Sequence, residues 1–349
     1  MSYTNGLDKP SDYFNTKLYT GTNATQSITG VGFQPDFTWF KRRDSAAQHS
    51  LFDSVRGVTK QLASNLTNAE TTITDALSSF DSDGFTLGVD SGNYINFNGA
   101  TYASWNWLAN GAGSSNTDGS ITSTVSANQT SGFSIVEYTG TGANATVGHG
   151  LGVTPAMMIV KRMETAGGSW RVYHKYLTAT SYLLLETADA SASQANLWNN
   201  TEPTSSVFTI GTAGDVNLSS YKHIAYCFAE KKGFSKFGSY TGNGNADGTF
   251  IYTGFKPAFL LYKCSSTGFT NWKVFDNKRS TYNLAVNRLN PNDTSVELAT
   301  TADSFDLLSN GFKARNTGSN SNNSGDTYIY MAFAQHPLVS STGVPCTAR

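Results

Sequence analysis

His49 and Asp53 stand four residues apart in HSLFD, a spacing and a pair of residue types that could make an acid–base couple. The same five-residue frame returns as WRVYH (170–174) and WKVFD (272–276), where those positions hold Trp170 with His174 and Trp272 with Asp276. A position that is His once and Trp twice reads as a packed strand residue, so no catalytic residue is assigned. Asp81 and Asp83 ahead of Gly84 match a fragment of a calcium loop, since alternate carboxylates followed by glycine can wrap a hard cation. The glutamate that would complete the loop falls at Gly92, so the segment is read as a turn and no metal site is assigned. A glycosidase would need two carboxylates across a groove, roughly 5–9 Å apart, and the 25 acidic residues leave that pairing open. There is no GxSxG elbow, HExxH helix, Walker loop or Rossmann fingerprint. The glycine-rich TGNGNADG (241–248) leads into the strand-like FIYTGF, not into a helix that could cradle phosphate. No cofactor is expected. Trp170 and Trp272 share a repeat position and read as core; Trp198, in the loop-like NLWNNTEP, has no counterpart and is the one candidate ligand-binding aromatic.

These frames belong to a longer repetition. PDFTWFKRR (35–43), PAMMIVKRM (155–163) and PAFLLYKCS (257–265) each run from a proline through large apolar residues to a lysine six positions on. Lys41, Lys161 and Lys263 step by 120 and then 102 residues, and Tyr19, Tyr138 and Tyr240, each opening a Tyr-Thr-Gly, step by 119 and 102. The closing TYASWNWLA, YKHIAYCFA and TYIYMAFA keep the same order. A fixed period of this length marks three copies of one domain-sized unit.

Within a copy the apolar pattern has period two. Phe37, Trp39 and Lys41 alternate with Thr38 and Phe40, and Ile329, Met331 and Phe333 alternate with Tyr328 and Tyr330. Asp83-Gly84 and Asn310-Gly311 are hairpin dipeptides. Only 55–78 and 183–197 leave room for a short helix. The expected fold is all-β, with three tandem antiparallel β-sandwich domains of lectin or jelly-roll type, at 1–110, 131–232 and 233–349. Residues 111–130, rich in Gly, Ser, Thr, Asn and Asp, are expected to form a flexible linker that a nonspecific protease cuts first.

Charged residues are 14% of the chain, against about 25% in an average soluble domain. The net charge of −1 and pI near 6.5 give no electrostatic footprint for nucleic acid, and the KRR run at 41–43 has Asp36, Asp44 and Asp53 nearby to neutralise it. No stretch reads as a membrane span or a secretory signal. Cys227, Cys264 and Cys346 form no pair at metal-ligand spacing.

The segments GLDKPSDYFNTKLYTG, FQPDFTWFKRR, HSLFDSVRG, SFDSDGFTLG and YASWNWLA resemble a repeat unit of virion structural proteins of marine tailed bacteriophages, commonly described as tail-fibre-like or as a domain of unknown function. HGLGVTPAMMIVKR with YKHIAYCFAE, and FGSYTGNGN with YTGFKPAFLLYK, resemble the same unit, so the resemblance spans nearly the whole chain. It implies a virion surface protein assembled in the host cytoplasm: a tail fibre or receptor-binding protein, homo-oligomeric with a trimer as one assembly, contacting other virion proteins and a host glycan or protein receptor. A capsid decoration or head appendage is the structural alternative, and a polysaccharide depolymerase the enzymatic one. The resemblance brings over no catalytic residues.

Overall fold

In the computed structural model, which describes residues 7–318 and 320–345, the chain is nearly all β. Among the described residues, helix is limited to the single α-turn Gly214–Asn217 and the 3-10 turns Pro10–Asp12 and Thr301–Asp303. The segments 55–78 and 183–197, where a short helix was expected, hold short strands and turns. Cys346 lies outside the described residues; Cys227 and Cys264 are buried free thiols.

Each copy builds the same four-stranded antiparallel order. In the first it is Phe14–Thr20, Thr101–Trp107, Phe37–Arg42, His49–Asp53, and in the third Ser235–Thr241, Thr327–Pro337, Phe255–Cys264, Lys273–Asp276. The second copy places Phe133–Thr139, Lys222–Phe228, Met157–Arg162 and Arg171–His174 inside an eight-stranded sheet. Registers coincide: Trp39 lies opposite Trp105, Ile159 opposite Tyr226, and Leu261 opposite Met331. A smaller sheet covers one face of each, beginning at Gln26–Thr29, Ala145–Gly148 and Phe250–Tyr252.

The period of two decides what each face meets. Phe40, Val160 and Leu260 turn toward the small sheet of their own copy and help fill three private cores. Trp39, Ile159 and Leu261 turn the other way, into a single core that all three copies share. At its centre Trp107, Phe228 and Phe333, one from each copy, form a triangle with ring centroids 5.8–6.2 Å apart. The three private cores leave the other face of each large sheet to be covered, and the copies cover it with one another, because these strands are apolar on both faces.

The linker expectation for 111–130 is overturned. Ser114–Asn116 pairs with Ser123–Asn128, which pairs antiparallel with Phe133–Thr139, and Ile121 and Val125 are buried. Two apolar side chains suffice because backbone pairing, not side-chain burial, fixes this segment. Limited digestion with a nonspecific protease should therefore cut first elsewhere, at the loop tip carrying the fully exposed Phe269. An early cut within 110–131 would show that the segment detaches.

The hairpins fall where Asp-Gly and Asn-Gly placed them, but the glycines serve a different purpose. Gly84 and Gly311 open the returning strands, opposite Asp81 and Leu308. A Cβ at either would sit about 2 Å from a carbonyl oxygen, 1.9 Å from that of Ile28 or 2.0 Å from that of Ile251, so close strand approach is what excludes side chains there.

Candidate functional site

The residues that first suggested chemistry are spent on holding the copies together. His49 is fully buried; its Nδ1 accepts from Trp39 Nε1 at 2.8 Å, so the proton sits on Nε2, which donates to the Asn290 carbonyl at 2.8 Å. Trp170 Nε1 donates to the Ala63 carbonyl at 2.9 Å and Trp272 Nε1 to the Leu184 carbonyl at 2.8 Å. Ala63, Leu184 and Asn290 each directly follow a leucine bridged to the adjoining strand, so these are one contact made three times around a ring of copies. Four residues on, Asp53 accepts from Tyr226 of the second copy at 2.8 Å, His174 donates to the Tyr330 carbonyl of the third at 3.2 Å, and Asp276 accepts from Trp105 of the first at 3.0 Å. The ring closes head to tail, as in a cyclic trimer.

The repeated lysines follow the same logic. Lys41, Lys161 and Lys263 are buried, and their ammoniums donate to the loop that leads into the next strand: to the Ala47 carbonyl at 2.8 Å, to the Gly168 carbonyl, and to Thr270 Oγ1 at 2.9 Å. Burial holds all three amines down at about 8. Asp81 accepts from Ser79 and Thr86, and Asp83 from the amides of Gly30 and Gly32. Trp198 is a correction: it is 1% exposed, its ring stands edge-on to Tyr173, and its indole N–H donates to the Ser181 carbonyl. A loop without a counterpart was mistaken for an exposed one.

Solvent-facing aromatics gather elsewhere. On the third copy a groove of about 500 Å³ runs between Ser235–Thr241, the end strand of the large sheet, and Phe250–Tyr252, the end strand of the small one. Phe250 and Tyr252, 44% and 57% exposed, share a face because they are two residues apart on a strand. Tyr176, 54% exposed, reaches in from the second copy. The pairings of Ile28, Val147 and Ile251 with Phe85, Phe208 and Phe312 align the three copies here. Phe250 thus corresponds to Ser27 and Thr146, and Tyr252 to Thr29 and Gly148. Only the third copy puts aromatics at these positions.

The electrostatics beside the groove are settled internally. Burial pushes the Glu230 carboxyl up, but hydrogen bonds from Lys175 at 2.7 Å and Lys236 at 2.6 Å outweigh it and leave it below the ordinary range. What the groove offers is aromatic faces, the hydroxyls of Ser239 and Thr249, and the edge of a sheet, a set suited to binding.

No curated protein and no solved structure matches the chain. One family does, and its match runs from residue 9 to residue 337, through all three copies and the segment between the first two. The chain belongs to that family, described as a domain of unknown function, DUF7483.

Proposed function

We propose that the chain is a non-enzymatic surface protein of a bacteriophage virion, placed in the tail fibre or receptor-binding apparatus, that contacts the host surface through the groove of its third copy. The observation that carries this is the break in pseudo-symmetry: Phe250 and Tyr252 are exposed where the first copy has Ser27 and Thr29 and the second has Thr146 and Gly148. Exposed aromatics around a concave site serve recognition, since they offer large rigid contact area. In this reading each copy is a lectin-like sandwich, and the three in one chain supply the cyclic platform that a trimer of single-copy chains would otherwise form.

Immunogold labelling of intact particles tests the placement: label on the tail supports it, and label over the head would make the chain a capsid decoration protein. The groove is tested by adsorption. Purified chain should compete with particles for host cells, and the double variant Phe250→Ser/Tyr252→Thr, which installs the first copy's residues, should compete about tenfold less well, the equivalent of roughly 1.4 kcal/mol. Equal competition by the variant would remove the groove from the reading.

A further inference from the structure

We propose that the groove of the third copy is a strand acceptor, whose ligand is an extended, largely uncharged segment of a partner polypeptide paired antiparallel to Ser235–Thr241. This deepens the preceding reading and rests on it for the identity of the site.

The second copy shows the same slot filled. There Thr124–Asn128 pairs with Phe133–Glu137 on the large sheet. The same segment reaches the small sheet, with Ile121 N–H donating to the Thr146 carbonyl at 3.0 Å and Ser123 Oγ to the Gly148 carbonyl at 3.1 Å. The chain thus clasps the open side of its own sandwich. By register, its contacts Ser134, Val136, Glu137, Thr146 and Gly148 correspond to Lys236, Gly238, Ser239, Phe250 and Tyr252, all of which line the groove of the third copy. The groove of the third copy is thus the counterpart of a slot that this protein fills with a strand in its second copy.

The first copy shows the slot blocked. Lys17 stands at the position of Gly238, and a Cβ at Gly30, at the end of the small-sheet strand, would lie 3.0 Å from its ammonium. A lysine laid along an end strand is a standard device against pairing with another chain. The third copy has glycine there instead, and a Cβ at Gly238 would sit 2.4 Å from the Tyr330 hydroxyl. Its neighbouring cation, Lys236, is drawn aside onto Glu230.

The pairing groups face outward. Gly242 N–H turns inward to the Asp326 carbonyl, so by strand alternation the backbone groups of Phe237 and Ser239 point away from the sheet. In the second copy the equivalent residues, Ile135 and Glu137, pair with Ser126 and Thr124. Main-chain bonds to such an edge give affinity, and flanking side chains such as Phe250 and Tyr252 give preference for the strand's own side chains.

The test uses the purified full chain and a synthetic peptide of residues 114–128, with its scrambled sequence as control. Hydrogen exchange at Phe237 and Ser239 should slow by at least about fivefold with the peptide at 1 mM and remain unchanged with the scrambled one. No slowing would overturn the proposal. Ser239→Pro removes an outward N–H, a change that end strands tolerate. Once the variant is shown to unfold at the wild-type midpoint, it should lose both the protection and the competition for host cells. Competition that survives Ser239→Pro but is lost in Phe250→Ser/Tyr252→Thr would identify glycan stacking and overturn strand pairing while leaving the surface-recognition reading in place.

Discussion

Replacing Arg279 by alanine should lower the free energy of unfolding by about 3–5 kcal/mol, the usual cost of stranding one member of a buried ion pair. Arg279 and Asp276 are both fully buried, joined by Nε to Oδ2 at 2.5 Å. The guanidinium also donates to the Val274 carbonyl at 2.9 Å and to Glu297 at 3.1 Å, and it lies over the Trp105 ring at 5.4 Å. Without it, Asp276 keeps the Trp105 indole and two amide donors but loses its countercharge in the middle of the ring. The double variant Asp276→Asn/Arg279→Met separates charge from contact. It removes both charges and keeps an acceptor for Trp105, so most of the loss should be recovered. Urea unfolding measures both, and a loss under about 1 kcal/mol for Arg279→Ala would show that the pair is solvated and the ring looser than described. Because the contact joins the third copy to the first, the variant should shift one transition for the whole chain.

Why one motif recurs three times now has a physical answer in the ring. Asp53 with Arg56 repeats Asp276 with Arg279, each pair taking a hydrogen bond from the next copy, Tyr226 in one case and Trp105 in the other. The second copy substitutes a neutral imidazole, His174, which needs no counterion and donates to a backbone carbonyl. Shape is repeated while the group met in the next copy differs at each joint, a tyrosine hydroxyl, an indole or a backbone carbonyl, which keeps the three joints from being interchangeable.

Much of this was legible as pattern and little of it as contact. The proline-to-lysine frames marked the strands beside the shared core, and comparison of His49 with Trp170 and Trp272 read that position as packing, where the structure buries all three side chains. The role of Lys41, Lys161 and Lys263 was not legible, because their partners are loop carbonyls whose approach depends on the fold. Composition misled at 111–130, where backbone pairing compensates for scarce apolar side chains. The groove was within reach: aligning QSIT, ATVG and FIY shows aromatics where the other copies are small or polar. That comparison concerns solvent-facing positions, which repetition does not constrain, and there a departure from the repeat is informative.

Acidification should unfold the chain well before most carboxylates are protonated. Burial drives the His174 imidazole down to about 3 and His223 to about 4, and holds His49 well below its ordinary value with help from the positive charges of Lys41 and Arg279. A base with a depressed pKa in the fold is neutral there but takes a proton in the unfolded chain near 6.5. The stability from these groups is therefore complete above about pH 6.5 and drains as pH falls toward the folded values. Each histidine contributes a slope of up to about 1.4 kcal/mol per pH unit, so by pH 4 the combined loss is several kcal/mol, comparable with the stability of a whole domain. His49→Gln isolates one contribution. Glutamine can accept from Trp39 with Oε1 and donate to Asn290 with Nε2, so it preserves both bonds that His49 makes and cannot titrate. Unfolding free energies of the two proteins at pH 7, 6 and 5 should diverge, with the variant losing less at each step. Parallel profiles would mean that His49 takes up its proton in place, and that the joint between the first and third copies is open to water.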